Sequence, residues 1–255
     1  AGVVTRPRRS RLHMANDHFY YRFRGAARMD VAEAITGRQS IRAFLSDKQV
    51  PQAKIKRVLE VAARAPSGSN IQPWHVYVLR GEKQRALIAE CMARHKVADE
   101  ATREYNYYPV NWRAPYIDRR RECGWGLYSK LGIAKGDKDA MRQQHGRNYA
   151  FFDAPVGLFF TLDRDMEIGS WFDCGMFVQS VMLAARGEGL ETCPQVAFCN
   201  FHDTVMSHIG APSDQMLVCG MSMGYADPDA IVNSFRTTRL SVEEFTTFVG
   251  EEDRR

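Results

Sequence analysis

The sequence lacks several features that would identify a common class of protein. It has no Cys-x-x-Cys pair and no Gly-x-Gly-x-x-Gly signature, and its apolar runs, such as Val156 to Phe160, are too short to span a membrane. Its six cysteines lie mostly among apolar neighbours, which is typical of reduced, buried thiols and predicts a cytoplasmic protein. The histidines lack the spacing of zinc ligands, so no metal site is predicted.

An excess of charge of one sign is also nearly absent from the body of the chain. The 255 residues include 35 Lys and Arg against 30 Asp and Glu, but four arginines lie in residues 1–13, which contain no acidic residue. The nearly neutral remainder argues against nucleic acid as a partner. No apolar segment follows the four arginines, so they do not form a secretory signal.

The length and the hydrophobic content of 45% suit one large or two small domains. We expect residues 1–28 to be an N-terminal extension and residues 29–255 to form one domain. His13 and Met14 resemble a cloning junction, so residues 1–13 are interpreted as a leader and Met14 as the natural start.

A loop rich in turn-forming residues separates two patterns of opposite kind. Residues 65–74 read Ala-Pro-Ser-Gly-Ser-Asn-Ile-Gln-Pro-Trp, after a helical pattern at 47–65 and before a β-rich stretch at 75–79. The prolines, the glycine and the short polar side chains fix the backbone and leave N–H groups free to face a ligand. The alternative is an ordinary helix-to-strand connection.

The stretch Arg38 to Phe44 follows a short predicted helix that ends at Gly37, and its pattern is that of extended chain. Alternate residues of a strand share a face, so Arg38, Ser40 and Arg42 would point the same way. Two guanidinium groups and a hydroxyl on one face suit anion recognition, particularly of phosphate. A solvated face of an edge strand is the alternative interpretation.

Aromatic residues are concentrated between Tyr105 and Tyr128, interleaved with prolines, glycines and three successive arginines. No single period fits the first part, so Tyr105 to Pro115 is predicted to be irregular. Helices are predicted for Tyr116 to Leu131 and for Asp137 to Ala150. Within this region, at about 100–150, the rings either pack the segment onto its own domain or form a lid over a flat aromatic pocket.

The second half of the chain contains the most apolar segments. Ala154 to Asp163 and Met216 to Tyr225 are predicted to be buried strands. The helix predicted for Gly169 to Gly189 is apolar on nearly every side, so we expect its own sheet to cover one side and a second subunit the other. A shorter helix is predicted for Phe201 to Ile209, with Asn200 as its N-cap.

Six short motifs lie in one order along the chain. They are Arg38-x-Ser40-x-Arg42, the loop Ala65 to Trp74, the helix start Ser170 to Gly175, Gly189-Leu190 to Cys193-Pro194, Gly224-Tyr225, and Phe235-Arg236-Thr237-x-Arg239. In this order the chain resembles the FMN-dependent nitroreductase family from about Met29 to Phe248. The segment Tyr108 to Tyr128 further resembles the branch of bacterial nitroarene and nitrobenzoate reductases.

The resemblance implies an α+β fold, with a mostly antiparallel sheet surrounded by helices, and an intertwined homodimer with FMN at the subunit interface. It also implies a set of cofactor contacts. The phosphate and ribityl chain would be held by Arg38, Ser40, Arg236 and Arg239, and the pyrimidine edge would lie near Arg42. The other subunit would reach the flavin with Pro66, Ser67, Gly68 and Asn70. Along the ring would lie Pro194, Gln195 and the N–H of Ala197, with Asn148 nearby.

The implied function is electron transfer from NAD(P)H through FMN to a nitroaromatic or quinone-like acceptor, in alternating half-reactions. FMN carries the chemistry, so no catalytic side chain is nominated. Tyr108, Trp112 and Tyr116 are the candidate substrate contacts. Many relatives have an acidic residue followed by glycine after Cys-Pro, where this chain has Gln195-Val196-Ala197. The alternatives are another reduction within the superfamily, such as quinone or enone reduction, dehalogenation or flavin fragmentation, or a flavin-binding protein without turnover.

Overall fold

The computed structural model describes residues 29–97 and 103–250, so the predictions for the N-terminal extension and for residues 100–102 and 251–255 lie outside the described residues. A four-stranded sheet lies at the centre, in the order β1-β2-β4-β3, and every pair is antiparallel. The strands are β1 (Trp74–Arg80), β2 (Val156–Asp163), β3 (Glu191–Gln195) and β4 (Gln215–Gly224). The α-helices are α1 (Val31–Gly37), α2 (Gln52–Ala62), α3 (Gly81–Lys96), α4 (Tyr116–Lys130), α5 (Lys138–Gly146), α6 (Ile168–Gly187), α7 (His202–Ile209) and α8 (Val242–Phe245).

The two faces of the sheet support two separate hydrophobic clusters. Because successive side chains of a strand point to opposite faces, Leu158 and Phe160 of β2 pack with α2 and α6, whereas Phe159 packs in the other cluster. That second cluster includes Phe151 and Phe198, whose ring centroids lie 4.6 Å apart. The central position of β2 explains why its sequence is apolar on both faces.

Helix α6 is buried on part of its circumference. Phe177 and Val181 lie inside the protein's own core, but Ile168 and Phe172 are exposed. Among the described residues, α6 alone has the length and the hydropathy that could suit a membrane span, a combination that core helices share. Its buried side is accounted for by packing on the sheet and on α2.

Arg38 to Phe44 is extended, as predicted, and forms isolated bridges rather than a continuous ladder. Two other local predictions were wrong. Helix α7 begins without a side-chain cap, because the Asn200 side-chain oxygen, which would accept a capping bond, accepts instead from the Arg103 guanidinium at 2.5 Å, and its amide nitrogen donates to the Tyr149 hydroxyl at 3.0 Å. Helix α5 ends at Gly146, because the following backbone continues as successive tight turns to the short 3₁₀ helix Phe151–Asp153.

The six cysteines are free thiols, as predicted, and five of them are buried, whereas Cys123 is exposed. Burial raises the pKa of Cys193 to about 11 and that of Cys174 to about 12, which keeps both thiols neutral. The prediction of a mostly antiparallel sheet surrounded by helices is confirmed. The intertwined homodimer stays a prediction.

Candidate functional site

A cavity of about 430 Å³ lies between the two ends of the described chain. Its walls include all five residues that the sequence predicted for the phosphate and the pyrimidine edge. They are Arg38, Ser40 and Arg42 from the extended segment after α1, and Arg236 and Arg239 from the segment before α8. The alternation predicted for the first three holds at Ile41 and Ala43, which are buried, but Gln39, between Arg38 and Ser40, also lines the cavity.

Asn233 joins the two halves of this cavity. Its side-chain oxygen accepts a hydrogen bond from the Arg42 backbone N–H at 2.9 Å, and its amide nitrogen donates to the Ala43 carbonyl at 2.9 Å. The Gln39 side chain donates in turn to the Asn233 carbonyl at 3.0 Å. These bonds take backbone groups that a neighbouring strand would otherwise use, which is why the segment is extended without being a strand.

The electrostatics of the cavity favour an anion. Burial lowers the pKa of the Arg38 guanidinium, and the nearby positive charge of Arg239 lowers that pKa further. Glu191 pairs with Arg186, so its negative charge already has a partner. Like charges held close together cost free energy, which a multiply charged anion would offset. Guanidinium and hydroxyl donors are the groups that phosphate prefers, so the donor set fits a phosphorylated ligand.

Strand β3 runs beside this cavity, because Ile41 N donates to the Thr192 carbonyl at 3.1 Å. Pro194 and Gln195 end the strand, and Ala197 lies in the 3₁₀ helix Val196–Phe201 that follows. The Gln195 side chain donates to the backbone carbonyl of Asn148 at 2.7 Å. The structure therefore brings Asn148 close to this strand end.

Gly220 allows the turn after β3 to sit close to the sheet. It lies opposite Gln195 in the register of β3 and β4. A Cβ atom there would come within 2.7 Å of the Phe198 ring and 3.0 Å of the Phe159 ring. Any larger residue would displace Phe198, and with it the segment that carries Ala197.

The loop with Pro66, Ser67, Gly68 and Asn70 lies apart from the residues that line the cavity. The loop connects α2 to β1, and within this connection Ser69, Asn70 and Gln72 adopt positive φ values of 50°, 58° and 50°. The Gln72 N–H donates to the Ser67 hydroxyl at 3.0 Å, which stabilises the loop from within.

A buried carboxylate holds this loop from outside. Asp173 on α6 is only 7% exposed, and its Oδ2 accepts a hydrogen bond from the Gly68 N–H at 3.1 Å. This contact fixes the loop relative to α6, the helix that also carries the exposed Phe172.

The three candidate substrate residues lie among arginines, with Tyr108 and Tyr116 exposed and Trp112 half-buried. The Tyr108 and Trp112 rings lie 5.3 Å apart, and the Arg120 guanidinium of α4 lies 4.8 Å from the Trp112 ring. Tyr116 is contacted by the Arg113 guanidinium at 4.8 Å. Among residues 103–250 the excursion is irregular up to α4, as predicted. Its anchor is Tyr105, whose hydroxyl donates to the Val218 carbonyl.

Sequence reasoning missed Asn233 and Asp173. Asn233 acts through backbone atoms almost two hundred residues away in the chain, and no local pattern indicates such a contact. Asp173 does carry a signal, because it is a lone carboxylate in an otherwise apolar helix. Such a group requires a buried donor, and Gly68 supplies it.

An α+β domain with an arginine-lined cavity between the segment after α1 and the segment before α8 has the donor set of a protein that binds a phosphorylated ligand. Residues 35–225 match the nitroreductase family, and the chain therefore belongs to that family.

Relatives with high sequence identity carry more specific names. The chain is 41% identical to a 4-nitrobenzoate reductase from Nocardioides sp. strain LMS-CY, over 86% of this chain and 90% of the relative. It is 40% identical to a chloronitrobenzene nitroreductase from Comamonas testosteroni, over 87% and 97%. The crystal structure of the FMN- and NADPH-dependent nitroreductase NfnB from Sphigopyxis sp. strain HMH superposes with a TM-score of 0.84 at 38% identity, covering 88% of this chain and all of that one.

Proposed function

We propose that this protein is an FMN-dependent oxidoreductase that passes electrons from NAD(P)H to nitroaromatic compounds in two alternating half-reactions. The observation that carries the proposal is the cavity lined by Arg38, Arg42, Arg236 and Arg239 in a chain of the nitroreductase family. The names of relatives support the same reading, since they include a 4-nitrobenzoate reductase and an FMN- and NADPH-dependent nitroreductase.

Three of the arginines that line the cavity, Arg38, Arg236 and Arg239, would hold the FMN phosphate. Arg38 and Arg239 are close enough for each charge to affect the other, so a phosphate between them would offset their repulsion. Ser40 and Thr237 add hydroxyl groups to the same wall. The cavity joins segments from both chain ends, so binding would also stabilise the attachment of the segment before α8.

When bound, FMN supplies the redox chemistry, accepting a hydride from NAD(P)H and passing the electrons to the acceptor. Arg42 would stabilise the negative charge that reduction places at the pyrimidine edge, and the Ala197 N–H would orient the reacting edge. Pro194 lies on β3, after Thr192, which accepts a hydrogen bond from the Ile41 N–H, and before the 3₁₀ helix that carries Ala197. Pro66, Ser67, Gly68 and Asn70 would reach the cofactor from a second subunit.

A homodimer would complete the site. In the loop at 66–70 every residue but the half-buried Ser67 is exposed, and none lines the cavity of its own chain, which is the arrangement expected if they serve the partner's cavity. Phe172 of α6 is exposed and directly precedes Asp173, the residue that holds this loop, and Ile168 is exposed on the first turn of the same helix, so these two side chains are the candidate interface. Apolar exposure of this kind favours association.

The test of the function uses the purified protein. We expect a yellow protein with about one FMN per chain, and NAD(P)H oxidation that becomes fast only when an acceptor such as 4-nitrobenzoate is added. Release of FAD, or the absence of any bound flavin, would reject the proposal. Bound FMN without acceptor-dependent oxidation would instead favour a flavin-binding protein without turnover, and oxidation with quinones alone would favour another superfamily reduction.

The contact between Asp173 and Gly68 gives a first prediction. Asp173→Ala should lower the free energy of unfolding by about 1–3 kcal/mol, since it leaves the Gly68 N–H without its buried acceptor. Asp173→Asn keeps an acceptor oxygen and should recover most of that loss. If the loop reaches the flavin, only the alanine variant should also bind FMN more weakly. Denaturant unfolding and FMN titration check both, and equal behaviour of the two variants would contradict the role of this bond.

Trp112 gives a second prediction. If the excursion covers the flavin, Trp112→Ala should lower kcat/KM for nitroaromatics by roughly tenfold or more, equivalent to about 1.4 kcal/mol of stacking. FMN content and Tm should barely change, because the ring is half-buried and packs on the exposed Arg120. Trp112→Phe keeps a ring and should retain most activity. A destabilised Trp112→Ala with normal kinetics per bound flavin would exclude the lid and favour packing alone.

A further inference from the structure

Gln195 lies where β3 ends, and its side chain points into the protein rather than into the cavity. The residue is only 2% exposed. Its Nε2 donates to the Asn148 backbone carbonyl at 2.7 Å, and its Oε1 accepts from the Ser222 hydroxyl at 2.6 Å. A carbonyl can only accept, so Nε2 must face Asn148 and the orientation of the amide follows from chemistry.

These two bonds connect three separate segments at one point. Ser222 belongs to β4 and is fully buried, while Asn148 belongs to the series of tight turns after α5. The Asn148 carbonyl also accepts from the Phe151 N–H at 3.1 Å, so both of its acceptor positions are used. A network of this kind in a buried place has little freedom to rearrange.

Gln195 is also the last residue before the chain changes direction. It has an extended backbone, with φ −137° and ψ 97°, and the 3₁₀ helix that carries Ala197 starts at the next residue. Fixing the Gln195 side chain therefore fixes the point from which that helix departs. Phe198, one residue beyond Ala197, is held by Phe151 and Phe159 on the far side.

We propose that Gln195 is a positioning residue, which holds the Pro194 to Ala197 segment in register with Asn148 through its amide and does not itself contact the flavin. The proposal rests on the proposed function, because it assigns that segment to the flavin ring. The two bonds explain why a glutamine stands at this position, since its amide can donate to a carbonyl and accept from a hydroxyl at the same time.

The chain offers a matched control for the test. Gln215 on β4 is 6% exposed, and its Oε1 accepts from the hydroxyls of Tyr77 and Thr161, both at 2.7 Å. It is a second buried glutamine in the same sheet, away from the residues that line the cavity. Gln195→Met and Gln215→Met therefore remove the same amide from similar surroundings while keeping the side-chain length.

The experiment compares the flavin-loaded wild type with Gln195→Met, Ser222→Ala and Gln215→Met. Four quantities are measured: Tm, the Kd for FMN, the midpoint potential of the bound flavin, and its rate of reduction by NAD(P)H in a single turnover. We expect both Gln variants to lose several degrees in Tm. Of these two, Gln195→Met alone should slow the reduction of its flavin by NAD(P)H, by roughly ten- to a hundredfold, and shift the midpoint potential, because a small misplacement of the reacting groups has effects of this size. Ser222→Ala should shift both in the same direction by less.

A Gln195→Met protein with wild-type potential and reduction rate would overturn the proposal, whatever its Tm. If that variant does not fold, Ser222→Ala decides the question, and wild-type values there would overturn it as well. If Gln195→Met weakens FMN binding by a larger factor than it slows flavin reduction, Gln195 contacts the flavin directly and the proposal is wrong. Failure of the proposed function would appear differently, as a wild type that binds no FMN or does not react with NAD(P)H.

Discussion

Replacing Phe177 by aspartate is expected to abolish the folded protein. The Phe177 ring is 2% exposed, stacks on the Trp74 ring at 4.5 Å with an interplanar angle of 5°, and meets the edge of Phe160 at 6.1 Å. Phe177→Asp removes this packing and places a carboxylate within a cluster of apolar side chains, at a cost of more than about 4 kcal/mol. That is a large share of the roughly 5–15 kcal/mol that stabilises a typical domain. Soluble yield and circular dichroism measure the outcome.

Phe172→Asp is the matched control on the same helix. Phe172 is 70% exposed, so its carboxylate would reach water and the subunit should keep its fold. If the outer side of α6 forms the homodimer interface, this variant should sediment as a monomer and lose FMN, because the site would then lack the partner's loop. A folded Phe177→Asp protein would contradict the packing, and a flavin-loaded monomer of Phe172→Asp would contradict a shared site.

Helix α6 shows how far hydrophobic patterning reaches. The uniform apolar sequence predicted burial on every side, and the bounds of the helix were close to correct. The pattern could not say which neighbour covers which side, because periodicity records only that a residue avoids water. In the structure the protein's own core covers Phe177 and Val181 and leaves Phe172 exposed.

The candidate site was likewise predicted only in part by local sequence patterns. The convergence of Arg38, Ser40 and Arg42 followed from the alternation of an extended chain, and the structure has all three in one cavity. That Arg236 and Arg239 complete this cavity followed from the family resemblance alone, because the contact depends on Asn233 and long-range backbone bonds. The direction of the Gln195 side chain depends on Ser222 and Asn148, which no local pattern relates to it.

Removing the guanidinium of Arg239 is expected to weaken FMN binding by about 1.5–3 kcal/mol, which is a roughly ten- to 150-fold rise in Kd. Arg239 lines the cavity close to Arg38, and its Nη1 is held by the Thr237 hydroxyl at 2.6 Å and the Thr238 carbonyl at 2.7 Å. A guanidinium fixed in this way loses little conformational freedom on binding, so Arg239→Ala should remove a pre-organised phosphate contact. Arg239→Lys keeps the charge without the two-pronged guanidinium, so its Kd for FMN should lie between those of the wild type and Arg239→Ala.

Arg142→Ala provides the control for this measurement. Arg142 is also an exposed arginine whose Nη2 donates to backbone carbonyls, those of His95 and Lys96, both at 2.8 Å, but it lies on α5 beside a different cavity. Arg142→Ala should change Tm about as much as Arg239→Ala does, while leaving the Kd for FMN unchanged. Since the contact is ionic, the gap between wild type and Arg239→Ala should also narrow as salt is raised. Equal Kd values for Arg239→Ala and the wild type at low salt would remove Arg239 from the phosphate site and leave Arg38 and Arg236 to hold the anion.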